Sequence, residues 1–310
     1  MVFVLIYLSL FFNSFDYGKT LLSSPWSSSP SPCWCSCDSW RHSALIRCLR
    51  PRVINIPGRY PPRIEVPCGK CSLCLSRRRA EWAFRCMIET KQAESAYFIT
   101  LTYKEEDVPE ICDKETCQKF FKRFRKRINS APIRYLLVPD YGGKFGRPHY
   151  HFLLWNYPFG RNRLIADLKA SWTFCEDFMF DYGDTVGDVT EASINYVCGY
   201  CLSSLESDGN DLRYWMLCSR RPAIGKNYLS SNMVRYLRTR FDGCTVFEGK
   251  KIPLPRYIKD KVFTQPEKEL IALKNYLDRC RLLKDEEDWR RWDQFLKDKD
   301  YLIRQKLKHK

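Results

Sequence analysis

Histidine is scarce in this chain: there are 4 in 310 residues, at positions 42, 149, 151 and 309. An imidazole-based centre therefore has one place to form, where His149 and His151 fall together. Carboxylates are also short. Asp and Glu number 36 against 52 Lys and Arg, giving a formal net charge of +16 and a pI near 9.2. Such a balance does not suit a protein meant for cationic or basic partners. It points to a polyanion, nucleic acid first, rather than to a merely solvated surface. Long apolar runs are missing too, apart from MVFVLIYLSLFF at 1–12. That run is too short to cross a bilayer as a helix, and it lacks the basic residue that precedes the apolar core of an export signal. With SSPWSSSPSP behind it, the stretch reads as a dispensable, unstructured extension through residue 45, an export signal being the alternative. There are no internal repeats, and no other stretch is a membrane-span candidate.

Cysteine, by contrast, is abundant, at 16. A chain this long can bury a core without disulfide staples. Several of the cysteines fall at metal-ligand spacing, and others, such as Cys86, Cys117 and Cys198, sit in apolar helical patterns where a thiol acts as a small hydrophobe. The expected compartment is reducing.

The periodicity predicts short strands at 52–56 and 63–66, then a tight turn, PCGKCSLC, leading into an amphipathic helix with Ala83, Cys86 and Met87 on one face. YFITLTY (97–103) is a strand. Asp113 is the expected N-cap of a helix over 114–130, with Cys117, Phe120, Phe121, Phe124 and Ile128 inward. IRYLLVP (133–139) and HYHFLLW (149–155) form a hairpin across the Gly-rich DYGGKFGRP. A helix at 162–172, a strand near 186–189 and a helix at 191–205 follow. RYWMLCSRRPAIG (213–225) is a strand running into a basic turn, and 243–259 is a hairpin. The tail, 266–308, is helical, with Leu270, Leu273, Leu277, Trp289, Trp292 and Leu296 as packing stripes. The order βαββαβ over 97–205 predicts an α+β fold, a ferredoxin-like antiparallel sheet covered by helices on one face. The division expected is an extension at 1–45, a Cys-rich element with a basic helix at 46–95, the central domain at 96–260, and a charged helical tail at 261–310.

In a strand, residues two apart share a face. His149 and His151 thus present two imidazoles side by side, while Tyr150 and Phe152 point the other way. Two adjacent neutral imidazoles suit a divalent cation better than two unrelated core histidines. Asp140, at the end of the preceding strand, is the carboxylate that a hard cation acting on phosphate would want, although Asp-Tyr-Gly-Gly is also good turn chemistry. Tyr196 and Tyr200 lie four apart on a predicted helix, so their phenols share a face.

Cys68, Cys71 and Cys74, in C-x2-C-x2-C, place three thiols on one turn. Cys48 would complete a structural Zn²⁺ site, with Cys86 the competing ligand. Arg77, Arg78, Arg79, Lys122, Arg123, Arg125, Lys126 and Arg127 are the candidate phosphate-contacting residues, with Arg147 beside the histidines and Arg220 and Arg221 in a basic loop. Phe145 and Trp155 are candidate stacking residues, Trp155 fitting the core better.

The pair in RPHYH, with FITLTY upstream and Tyr196 and Tyr200 downstream, resembles the HUH endonuclease superfamily. The ordered set CLRPRVI, VPCGKCSLC, EWAFRCMIE, FITLTY, DYGGKFGRPHYHFLLW, YVCGY and CSRRPAIG, over about residues 48–260, resembles the replication initiators of gokushovirus-type microviruses. The resemblance implies rolling-circle initiation, with single-stranded DNA nicked and joined through a 5′-phosphotyrosine. Tyr196 would match the first nucleophile and Tyr200 the second, with Mg²⁺ or Mn²⁺ on His149, His151 and Asp140. It implies single-stranded or replicative-form viral DNA at the origin as partner, with host helicase and polymerase, in the host bacterial cytoplasm and without membrane contact. One departure stands out. Relatives commonly carry Lys or Arg just before the second tyrosine and lysines soon after it, where this chain has Gly199, Ser203 and Ser204. Activation would then fall to the metal or to another cation such as Arg220 or Arg221. A non-catalytic zinc-stabilised DNA-binding protein, an exported Cys-rich protein and a single-tyrosine transposase are the rival readings.

Overall fold

The computed structural model describes residues 48–55, 63–142, 146–175, 185–200, 215–283 and 285–308. The extension at 1–45, Phe145, Ser203 and Ser204 lie outside them. Strands β1 (Arg52–Asn55) and β2 (Arg63–Val66) pair as an antiparallel ribbon. Helix α1 (Ser72–Gln92) follows the cysteine turn. Next come β3 (Ala96–Leu101), α2 (Lys114–Arg127), β4 (Arg134–Asp140), β5 (His149–Trp155), α3 (Arg161–Ser171), β6 (Val186–Asp188) and α4 (Glu191–Gly199). A short β7 (Leu217–Cys218), α5 (Ser231–Arg240), the hairpin β8 (Cys244–Phe247) and β9 (Lys250–Pro253), α6 (Arg256–Val262), α7 (Gln265–Leu282) and α8 (Glu286–Lys308) complete the chain.

The central sheet runs β6-β3-β5-β4-β7, antiparallel throughout, with β5 flanked by β3 and β4. This is the ferredoxin-like order with β7 added at one edge. Helix α2 forms where expected: the Asp113 carboxylate caps it, accepting from Thr116 N at 2.7 Å. Its Phe120, Phe121 and Phe124 pack with Leu137, Phe152 and Leu154 on one face of the sheet. Burying each such side chain contributes roughly 1.5–3 kcal/mol.

The sheet is covered on both faces, which corrects the expectation of helices on one. Ala83 and Cys86 of α1 and Ile194, Val197 and Cys198 of α4 pack on Leu136, Val138, Leu153 and Trp155. The physical reason is legible in the strands. Every β4 residue from Arg134 to Pro139 is buried, as is every β5 residue from Tyr150 to Trp155, the pattern of strands covered on both sides. Trp155 is core, not a stacking platform.

Two helices are not foreseen by the periodicity. Helix α5 falls in a stretch to which it assigns no element, and α6 starts inside the segment read as hairpin, because Pro253 and Pro255 bias the chain around them toward extended backbone. They form a second core with the hairpin on the back of α1, around Phe84, Ile88, Leu237 and Ile258. The tail stripes divide. Trp292 and Leu296 of α8 are buried against the cysteine turn, whereas Leu270, Leu273 and Leu277 of α7 are 56%, 53% and 47% exposed. Helix α7 instead buries Ile271. Among the described residues no helix is long and apolar enough to cross a membrane.

One buried ion pair ties α1 to the sheet. Glu89, 2% exposed, bonds Arg134, 8% exposed. Glu89 Oε2 also accepts from Gly225 N at 2.7 Å, and Arg134 Nη1 donates to the Pro222 carbonyl at 2.8 Å. Removing one partner strands the other charge, so Glu89→Ala is expected to lower unfolding stability by about 3–5 kcal/mol, read from the urea midpoint. A loss below about 1 kcal/mol would contradict this role.

Candidate active site

Strand register builds the site. Asp140 lies opposite His149, and His151 lies between Val138 and Thr100. Directly opposed residues share a face, so Asp140, His149, His151 and Thr100 all project from the face that α4 covers. Tyr150 and Phe152 enter the opposite core, as the alternation requires.

Helix α4 begins at a capping box: the Thr190 hydroxyl accepts from Ser193 N at 3.1 Å, and Thr190 N donates to Ser193 Oγ at 2.8 Å. Ile194, Val197 and Cys198 seat the helix on the sheet. Tyr196 and, at the C-cap, Tyr200 are thereby brought over the histidines. Tyr196 donates to Asp140 Oδ2 at 3.0 Å and lies 3.5 Å from His151 Nε2, and Tyr200 donates to the same Oδ2. His149 Nε2 and His151 Nε2 stand 3.0 Å apart, and 3.2 and 3.3 Å from that oxygen. Two imidazoles, two phenols and one carboxylate oxygen converge on a single point.

The outer contacts orient these groups. His149 Nδ1 sits 2.9 Å from the Arg147 carbonyl, an acceptor that keeps a proton on Nδ1, so that the neutral ring has its lone pair on Nε2 and the protonated ring donates from it. His151 Nδ1 lies 3.0 Å from Thr100 Oγ1, and its ring stacks on Phe98, centroids 5.4 Å apart at 16°. Asp140 Oδ1 accepts from Tyr141 N and Gly142 N at 2.7 and 3.3 Å, turning Oδ2 toward the rings. The Oδ2 and Nε2 donors are a set that a divalent cation would accept, and the three groups offer ligand atoms within 4.8 Å of one another.

Electrostatics follow from that crowding. Burial works to raise the Asp140 carboxyl, but hydrogen bonds from His149, His151 and Tyr200 outweigh it and hold it well below the usual carboxylate range. Burial lowers both imidazoles. At His149 the Asp140 bond and the Arg147 carbonyl prevail and the net shift is up. At His151 burial, joined by repulsion from His149, prevails and the shift is down. Burial pushes both phenols up, and the Asp140 charge adds to it.

The basic residues do not form one surface. Arg77 and Arg78 are exposed on α1, which packs on the same sheet face as α4, and Arg79 Nη2 donates to the Asn195 carbonyl of α4 at 3.2 Å. Helix α2 lies on the far side of the sheet. There Arg123 donates to the Ser171 carbonyl at 2.9 Å, Arg127 pairs with buried Asp167 at 3.2 Å, and Arg125 lies over the Tyr135 ring. Lys122 and Lys126 remain exposed. Arg147 donates to the Tyr103 carbonyl at 2.7 Å and pairs with Glu105 at 2.9 Å. Arg220 and Arg221 follow β7, whose partners are Leu136 and Leu137, and border the Arg134 end of β4 rather than the Asp140 end. They are not placed to activate Tyr200. Arg79, by contrast, does touch α4.

The cysteine turn gathers four sulfurs. Cys48, Cys68, Cys71 and Cys74 offer Sγ atoms within 4.8 Å of one another, with Cys48 and Cys71 at 3.7 Å. A tetrahedron with bonds of ~2.3 Å to zinc has edges of about 3.8 Å. Cys86 instead lies in the sheet-face core. Burial raises the Cys68 thiol, but the backbone N–H groups of Lys70 and Cys71 overcome it and bring it down to about 6.

Residues 96–205 match the family model for replication-associated protein ORF2. Replication-associated protein ORF4 of Chlamydia phage 1 is 29% identical over 215 residues, covering 63% of this chain and 53% of that protein. Replication-associated protein ORF2 of Spiroplasma virus 4 is 35% identical over 213 residues, covering 62% and 66%. Replication-associated protein VP4 of Bdellovibrio phage phiMH2K is 29% identical over 213 residues, covering 63% and 66%. The chain is thus similar to microvirus-type phage replication-associated proteins. It spans 53–66% of the length of these three relatives. No solved structure matches it.

Asp140 raises the pKa of both imidazoles, so Asp140→Asn should move the His149 and His151 titrations to lower pH in chelator-treated protein. With 4 histidines in the chain, imidazole NMR resonances can follow each one. In the unmutated protein His149 should take up its proton at higher pH than His151. Unchanged titrations in the variant would contradict the arrangement.

Proposed function

We propose that this protein initiates rolling-circle replication by nicking single-stranded viral DNA at its origin and rejoining it. The reading rests on one observation above all: both Nε2 atoms and both phenol oxygens lie around Asp140 Oδ2. A divalent cation, Mg²⁺ or Mn²⁺, held by Asp140, His149 and His151 would supply positive charge to the scissile phosphate and lower the cost of ionising a phenol beside it. The rest falls to the chain's own groups. Tyr196, 38% exposed, is the more accessible phenol and the first nucleophile. Its oxygen bonds to phosphorus as the P–O3′ bond breaks. The phenol gives up its proton and the departing 3′ oxygen takes one up, leaving a 5′-phosphotyrosine and a primer 3′-OH. The phosphoester link keeps the bond energy for rejoining. Tyr200, on the same carboxylate, serves a second cleavage while Tyr196 remains loaded. Thr100 and the Arg147 carbonyl hold the two rings in place.

The Cys48, Cys68, Cys71 and Cys74 cluster is, on the same footing, a structural Zn²⁺ site. Its donor set is all thiol and its geometry is closed. Host helicase and polymerase in the bacterial cytoplasm are the partners that such a role calls for.

Labelled single-stranded origin DNA, incubated with the protein and Mn²⁺, should yield an adduct that survives denaturation. Tyr196→Phe with Tyr200→Phe should abolish it. His149→Ala or His151→Ala should slow its formation by at least about 100-fold while leaving DNA affinity within a few-fold. An adduct from the double tyrosine variant would overturn the proposal. Separately, Cys68→Ser should remove one zinc per chain by metal analysis and speed hydrogen exchange along α8, which packs on the cluster. Zinc-free wild-type protein with a protected α8 would contradict the zinc assignment.

A further inference from the structure

The opposite end of β4 carries a second concentration of charge that chemistry at Asp140 does not use. A groove of about 710 Å³ opens at the sheet edge, between the segment 130–135, strand β7 and the loop after it. Among the described residues four arginines line it, Arg125, Arg134, Arg220 and Arg221, and no carboxylate does. A cleft walled by one sign of charge concentrates the potential within it. The Arg134 guanidinium is taken up by Glu89 and the Pro222 carbonyl. Arg125, Arg220 and Arg221 form no ion pair among the described residues.

The arginine loop is held in place rather than loose. Arg220 bridges to Ala223, the Ile224 carbonyl accepts from Arg85 Nε at 2.9 Å, and Gly225 N donates to Glu89 at 2.7 Å. Gly225 has φ +76°, and a Cβ there would stand 3.2 Å from the Arg85 Cα, so glycine is what lets the loop close on α1. Among the described residues Tyr135 is the only aromatic lining the groove, and it is buried at 7% exposure. The groove therefore lacks a stacking platform for bases and fits phosphate. Six residue steps along β4 separate Arg134 from Asp140, about 20 Å at ~3.4 Å per step, or about six base-pair steps at ~3.4 Å each.

We propose that this groove binds the sugar–phosphate backbone of DNA to one side of the cleavage position, as a sequence-independent anchor about 20 Å from Asp140. Its place beside a cut rests on the nicking function proposed above; its affinity for DNA does not.

The test uses the full chain with Tyr196→Phe and Tyr200→Phe, so that nothing is cleaved, with and without Arg220→Gln and Arg221→Gln. Affinity is measured against salt for a long DNA reaching beyond ~20 Å on both sides of the cleavage position and a short one ending within ~10 Å. The long DNA is prepared with single-stranded and with duplex flanks. The two substitutions should weaken long-DNA binding at least tenfold on one or both flanks and lower the salt slope there by roughly 1.4–1.8. The short DNA should change less than twofold. The flank that responds identifies the form of DNA held. An unchanged slope on both flanks, or equal losses on long and short DNA, would overturn the proposal. Arg125→Gln provides an independent variant from another element. Wild-type protein run in the adduct assay keeps the readings apart: lack of an adduct removes the nicking function and leaves the binding curves to decide the groove.

Discussion

The register of β5 between β3 and β4 is the constraint on which the rest depends. Because side chains alternate, a slip of one residue would send His149 and His151 into the phenylalanine core and turn Tyr150 and Phe152 toward α1 and α4. Two-sided burial forbids that slip. Phe152 and Leu154 are needed on the α2 side, and Leu153 and Trp155 on the α1 and α4 side. The packing that stabilises the sheet thus also sets Asp140 opposite His149 and Thr100 opposite His151.

Helix α1 joins the remaining parts. Its first turn carries Cys74 and Leu73 of the cysteine cluster, capped by Trp292 and Leu296. Its middle presents Ala83 and Cys86 to the sheet beside α4, and its back presents Phe84 and Ile88 to the second core. Arg79 reaches α4 one residue before Tyr196. A zinc-ordered turn would therefore steady the helix on which the tyrosine helix leans. The sheet meanwhile separates the charges. Those of α1 share the face of the histidines, while much of α2's cationic charge is engaged in holding α3 and covering the Tyr135 ring.

Much of the site was legible in the sequence because it is local. The i, i+2 histidines, the i, i+4 tyrosines and the C-x2-C-x2-C turn each fix geometry through secondary structure alone. The meeting of the histidines and the tyrosines on one carboxylate oxygen is tertiary, and only the ordered motifs hinted at it. What escaped was longer-range. Glu89 and Arg134 lie 45 residues apart and look like ordinary charges on amphipathic elements. The gathering of Arg125 with Arg220 and Arg221 depends on β7 pairing with β4. Helix α6 was masked by its flanking prolines. The leucines of α7 have helical spacing, yet Ile271 is what packs, since periodicity names a stripe but not what lies against it.

The proposed chemistry needs a divalent cation between neighbouring imidazoles, within reach of two phenols. Mn²⁺ introduced into crystals of the full chain, located by anomalous scattering, tests this most directly. A manganese peak is expected within bonding distance of His149 Nε2, His151 Nε2 and Asp140 Oδ2, and it should be lost in His151→Ala. A well-ordered site without that peak, with the hydrogen-bonded cluster unchanged under saturating Mn²⁺, would contradict it.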